Sequence, residues 1–156
     1  MLKLLIFAPC ETIILSKDDN ASIINVLETV RVNIKGDLPA AALIPFKWSL
    51  MTLWKRDDTV DTSIEYEQHI QVLRRDDTVA AEGRNTFTVS SQHLMYRLLA
   101  HFPVFPIGQP GQVLVKGRIR QVNPETEWQD IAEFPLQVIH EQKPNEETRQ
   151  EDAAQV

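Results

Sequence analysis

Between residues 45 and 89 apolar and polar positions alternate, and the alternation restarts after each turn. Phe46, Trp48, Leu50, Thr52 and Trp54 recur at every second position, the period of a strand that buries one face. Ile64, Tyr66, Gln68, Ile70 and Val72 repeat that period, with Glu65, Glu67, His69 and Gln71 on the opposite face. Residues 79–89 form a third strand with Phe87 and Val89 inward and a bulge expected at Gly83. The same five residues stand at both joints, Arg56-Asp57-Asp58-Thr59-Val60 and Arg75-Asp76-Asp77-Thr78-Val79. Three strands joined by twin turns predict an antiparallel meander.

The flanking chain carries further strand patterns. Residues 3–15 are apolar almost throughout and predict one strand kinked at Pro9, because proline has no N–H to give to a ladder. Residues 22–32 are rich in β-branched side chains and follow a turn at 16–20, so the two make a hairpin. Residues 38–45, bracketed by Pro39 and Pro45, are long enough to cross between sheets. Residues 93–102 satisfy two periods: Leu94, Met95, Leu98, Leu99 and Phe102 form a helical stripe, while Leu94, Tyr96, Leu98, Ala100 and Phe102 alternate. The β-rich surroundings select a strand. Residues 112–122 and 127–139 close the chain as a hairpin in which Val115 meets Phe134, Val113 meets Leu136 and Lys116 meets Glu133. Gly117 then faces Ala132 and leaves room for another side chain.

Eight strand candidates without a helix-alternating pattern predict an all-β fold, an antiparallel β-sandwich of about eight strands spanning residues 1–141. Residues 142–156 carry charge with almost nothing to bury and are expected to be a disordered acidic tail. A chain of 156 residues is one domain with one core. Its net charge of −6, with no basic run, argues against a nucleic-acid partner. Cys10 is the only cysteine, so neither a disulfide framework nor a thiolate metal cage is available. Residues 4–8 are shorter than the roughly 7 to 15 residues of an export signal's apolar region, and no run approaches the roughly 18 that span a bilayer. A cytoplasmic protein with no membrane span is expected.

Candidate chemistry is sparse. No G-x-S-x-G, Walker loop, G-x-G-x-x-G or H-E-x-x-H occurs, and Cys10 beside Pro9 reads as a small buried hydrophobe, so a non-enzyme without a cofactor is expected. Asp18, Asp19, Asp57 and Asp58 are hard oxygen ligands on loops and form the alternative, calcium-binding set. Aspartate also makes turns by bonding its own backbone, and turn-making is the favoured reading. The Asp57 and Asp76 turns fall at opposite ends of one strand and cannot share a site. Glu65, Glu67 and His69 share a strand face that could hold a metal or an acid–base pair, against the simpler reading of a solvated face. Lys116, Arg118 and Arg120 form a row suited to an anion or an acidic partner, or to solubility opposite Glu127 and Glu133. In the proline- and glycine-rich segment 102–111, Phe105 and Ile107 either plug the core or stand exposed as a binding patch.

The opening Ala8-Pro9-Cys10, the Asp18-Asp19-Asn20 turn before Ser22-Ile23-Ile24-Asn25-Val26, and Phe105-Pro106-Ile107-Gly108-Gln109-Pro110-Gly111 ahead of a final hairpin resemble a group of small bacterial β-sandwich proteins of unassigned function. The resemblance covers most of residues 3–139 and implies a fold without catalytic residues. The expected function is therefore a non-catalytic interaction module that binds a protein partner or self-associates. A calcium-dependent or glycan-binding sandwich is the alternative, and a small hydrolase is third.

Overall fold

The computed structural model describes residues 2–60 and 62–142. It contains eleven strands: β1 (Leu2–Leu15), β2 (Ala21–Val26), β3 (Thr29–Ile34), β4 (Leu43–Ile44), β5 (Trp48–Arg56), β6 (Glu65–Leu73), β7 (Val79–Thr88), β8 (Met95–Phe102), β9 (Phe105–Pro106), β10 (Gly111–Gln121) and β11 (Gln129–Gln142). No helix occurs among the described residues, and within 93–102 the strand β8 occupies Met95–Phe102. The strands form a four-stranded sheet ordered β2-β1-β5-β8, a five-stranded sheet ordered β3-β11-β10-β6-β7, and the short pair β4-β9. One apolar cluster joins Trp48, Leu50, Ala100 and Phe102 of the first sheet to Ile70, Val72, Val113, Val115, Leu136 and Val138 of the second.

All eight expected strands are present, but the count of eight is too low. One addition comes from residues 22–32, which break after Val26, next to Asn25 in a left-handed conformation (φ 53°) that asparagine tolerates better than most residues. Leu27 turns inward there and its N–H donates to the Pro9 carbonyl at 2.9 Å. Beyond this break β3 leaves the hairpin and joins the other sheet, pairing parallel to β11, the exception to an otherwise antiparallel arrangement. The remaining additions are β4 and β9, which the crossing segment and the proline-rich segment lend to each other.

The meander is also corrected. β5 is already paired on both edges, with β1 and with β8, so it has no edge left for β6. The chain instead crosses to the second sheet between β5 and β6, and of the three strands only β6 and β7 form a hairpin. The repeated pentapeptide builds the same local motif in both places. Thr59 donates its N–H (3.0 Å) and Oγ1 (2.6 Å) to Asp57 Oδ1, and Thr78 does so to Asp76 Oδ1 (3.1 and 2.6 Å). Identical local chemistry therefore serves a crossover once and a hairpin once. The β7 bulge falls at Ala80 rather than Gly83, since Val72 pairs with Ala81 and Leu73 with Val79 while Gly83 stays in register with Ile70.

The closing hairpin pairs as expected, Val115 with Phe134, Val113 with Leu136, Lys116 with Glu133 and Gly117 with Ala132. The space at Gly117 is filled: a Cβ there would lie 2.6 Å from Cε2 of Phe7. β11 continues to Gln142, so residues 141–142 belong to the sheet through pairing with Asn33 and Ile34. The rest of the expected tail lies outside the described residues. Pro9 marks the place where β1 exchanges partners, pairing with β5 up to Cys10 and with β2 from there on. Ala8, Cys10, Ser49 and Met51 face away from the shared core and are nevertheless buried. The tip of the β1–β2 hairpin returns toward β8, where Arg97 donates to the Asp19 carbonyl (2.8 Å) and carboxylate (2.6 Å).

Candidate functional site

The densest polar constellation lies on the outer face of the five-stranded sheet. Strand register sets it up: Lys116, Arg118 and Arg120 of β10 stand beside Gln71, His69 and Glu67 of β6. The basic row and the Glu/His row of the sequence are thus one surface. His69 is 4 % exposed despite its outward direction, because Trp128, from the connection before β11, covers it at 5.4 Å between ring centroids. Its Nε2 lies 2.8 Å from Glu82 Oε2 on β7. Arg120 places its guanidinium 4.6 Å from the Trp128 ring and grips Glu67 with Nε (2.8 Å) and one terminal nitrogen (2.7 Å). Arg84 stands 5.9 Å over the same ring, and Arg120 also pairs with Glu125.

The remaining charges are neutralised in the same way. Lys116 bridges Asp130 (2.8 Å) and Glu133 (3.5 Å), and Arg118 donates to Gln71 at 2.5 Å. The hydrogen bond to Asp130 pushes the Lys116 ammonium pKa up, and the hydrogen bond from His69 holds the Glu82 carboxyl below its usual range. The arrangement is a set of paired charges under an indole lid, in which the buried Arg118 Nε lies 3.6 Å from Asp130 Oδ1 and makes no hydrogen bond. Its chemistry is structural: it holds β6, β7 and β10 together on the side away from the core. Among the described residues, no three His, Cys, Asp or Glu side chains stand close enough to share a metal ion. Glu65, although on the same strand, is exposed.

Glu82 carries a pH prediction. A carboxyl whose pKa is lowered in the folded state contributes stability that is complete above its unfolded value, about 4.3, and lost as pH falls through the folded value. Melting temperatures measured downward from pH 6 should therefore fall less for Glu82→Gln than for the wild type below about pH 4. Parallel curves would show that the His69–Glu82 contact has no energetic weight.

The acidic turns do not gather. Asp19 is held by Arg97, Asp57 by Thr59, and the nine-residue strand β6 separates the Asp57 turn from the Asp76 turn. The Thr78 hydroxyl and N–H lower the Asp76 carboxyl pKa, which is the local bonding that makes a turn. Asp18 and Asp58 are exposed and join no ligand group. Phe105 is 0 % and Ile107 5 % exposed, so they form no surface patch. Phe105 packs edge-on to Trp48 and Phe46, and the Ile107 N–H donates to the Ala42 carbonyl at 3.0 Å. They are the core plug, because β9 pairs with β4 and turns both side chains inward.

One further pair has catalytic types. Ser49 Oγ lies 2.8 Å from His101 Nδ1. Ser49 is 7 % exposed, and no carboxylate bonds to His101 among the described residues, so neither substrate access nor an orienting third group accompanies the pair. A buried hydroxyl satisfied by a neighbouring ring accounts for it.

Sequence reasoning missed Trp128 as a lid and Glu82 as the His69 partner. Both depend on which strand lies beside β6, and neither residue carries a periodic signal of its own. The exposed apolar residues that it also passed over are concentrated on the β1–β2 hairpin: Ile14, Leu15, Ile24 and Val26 are between 39 % and 51 % exposed. No family model matches the chain, and no curated protein matches it. No helix among the described residues is long and apolar enough to cross a membrane.

Proposed function

We propose that this chain is a non-catalytic β-sandwich interaction module that pairs, through the open edge of β2, with a second copy of itself. The single observation that carries the reading is the character of that edge. β2 is the outer strand of its sheet, and its sequence Ala21-Ser22-Ile23-Ile24-Asn25-Val26 holds no charge and no proline. The other outer strands of the two larger sheets carry charges: Arg31 on β3, Glu82 and Arg84 on β7, and Arg97 on β8. Charged or proline-bearing edges resist pairing, and an uncharged β-branched edge invites it. Ile24 and Val26 are exposed beside it, and with a two-fold axis at Asn25 the Ile24 of each copy would oppose the Val26 of the other. Two four-stranded sheets would then run on as one.

The sandwich itself is supported by the single apolar cluster that both larger sheets supply. A non-catalytic role is supported by the way His69 and Ser49 are committed to structural bonds. A cytoplasmic location is supported by the buried free thiol of Cys10, which burial pushes up in pKa and away from thiolate chemistry. Kinship with the small bacterial sandwich proteins remains part of this reading.

Light scattering over a concentration series should give a mass rising toward twice the 17.9 kDa of the chain. Ile24→Lys, at an exposed edge position, should hold the mass at one chain with little change in melting temperature. A wild-type mass of one chain at every concentration rejects self-pairing. An unchanged dimer in Ile24→Lys moves the interface away from β2.

A further inference from the structure

At one corner the two larger sheets are tied by a short bridge of chain. Leu27 donates its N–H to the Pro9 carbonyl and Gln137 donates to the Glu28 carbonyl, both at 2.9 Å, so residues 27–28 join β1 to β11. On one side of this bridge β2 covers β1 from Cys10 to Leu15, and β3 covers β11 from Gln137 to Gln142. On the other side neither cover continues. Among the described residues, 2–8 of β1 pair with β5 alone and 129–136 of β11 pair with β10 alone, which leaves two bare half-edges. A cleft of about 460 Å3 lies between them, with Leu2, Leu4 and Trp54 on one wall and Ile131 on the other. Unpaired backbone groups along an edge are a template for a further strand.

The two half-edges differ in character. That of β11 contains Pro135, and its Asp130 and Glu133 are already engaged by Lys116. That of β1, Leu2-Lys3-Leu4-Leu5-Ile6-Phe7-Ala8, has no proline and a single charge. Leu5, the extra residue of a bulge where Leu4 pairs with Trp54 and Ile6 with Leu53, is 41 % exposed along it. Lys3 and its cross-strand partner Lys55 are exposed on the outer face, whereas Leu4 and its partner Trp54, one position on, belong to the inner face that walls the cleft. Like charges directly opposite each other destabilise a strand pair, and neither lysine has an ion-pair partner among the described residues.

A strand laid along this edge serves both faces at once, because its successive side chains alternate between them. An acid beside Lys3 on the outer face gives the lysine pair a counter-charge, and the apolar residues before and after that acid enter the cleft beside Leu2 and Leu4. Asp57, on the cleft wall, keeps acids off the inner face. A second copy of this edge brings only another lysine, so the charge that guards it against self-pairing selects an acidic partner. We infer that residues 2–8 of β1 take up, by strand addition, an extended segment of a partner protein in which acidic and apolar residues alternate. The inference goes beyond pairing through β2 and uses none of its residues.

The probe is a fluorescent peptide of about six residues, an ordinary strand length, alternating valine and glutamate, with a valine–lysine peptide as its control. Anisotropy should show saturable binding of the glutamate peptide, about tenfold tighter than that of the lysine peptide. Lys3→Glu, at an exposed position, should reverse the preference and leave the melting temperature unchanged or higher, since a like-charge pair is removed. N-methylation of alternate peptide amides should abolish binding on one set of residues and spare it on the other, because hydrogen-bonding groups along a strand point alternately to its two edges. Amide hydrogen exchange should slow at residues 2–8 in the complex. No saturable binding below about 1 mM overturns the inference. So does a preference that Lys3→Glu leaves in place, or an equal effect of the two methylation sets. Slowed exchange at residues 21–26 in place of 2–8 moves the acceptor to β2 and overturns it as well.

Discussion

Replacing Trp48 with alanine should cost about 3 to 5 kcal/mol of folding stability, the range of large aromatic deletions from a packed core. Trp48 is buried at the first position of β5 and opposes Phe102 of β8 in register. The two rings stack at 4.4 Å with their planes 16° apart, and Phe105 closes the cluster edge-on at 5.9 Å. The indole N–H donates to the Val104 carbonyl at 3.0 Å, so the variant also takes away that acceptor's partner. Three elements lose packing at once: β5, β8 and the segment leading to β9. Urea denaturation is the measurement, and a loss below about 1 kcal/mol would mean that the site collapses around the missing ring in a way that large core residues do not allow.

Gln68→Leu should produce the second large effect, about 2 to 6 kcal/mol, from two buried donors stranded at about 1 to 3 kcal/mol each. Gln68 is 1 % exposed on the inner face of β6. Its Oε1 accepts from Thr52 Oγ1 at 2.8 Å and from Trp54 Nε1 at 3.0 Å, both on β5. Because β5 and β6 belong to different sheets, these bonds run between the sheets through the interior. Leucine matches the volume and supplies no acceptor, so the hydroxyl and the indole N–H pay the full desolvation cost. Removing one donor together with the acceptor tests the mechanism: Gln68→Leu/Thr52→Val should be more stable than Gln68→Leu alone, since apolar replacement of both partners can be nearly neutral. Additive losses in the double variant would show that packing rather than bonding sets the cost.

Along this chain the alternation of residue types by itself determined where β5 and β6 lie, whereas 93–102 also fitted a helical stripe and was read as a strand from its surroundings. Period two is a property of neighbouring residues, and any sheet that buries one face preserves it. The register of β10 with β11 was equally legible, because a short turn leaves few ways to match apolar with apolar and Lys116 with Glu133. The Asp57 and Asp76 motifs were local too, each carboxylate closing on a threonine two residues on. What local pattern does not encode is which strand edge remains open. Only the assembled structure decided that β1 and β8 occupy both edges of β5, which sends β6 to the other sheet, and that β3 leaves its hairpin to lie parallel to β11. The same distant choices buried His69 under Trp128 and turned Phe105 and Ile107 into the core. Each of these depends on a partner far along the chain, whose position follows from the packing of two sheets and from no residue pattern read singly.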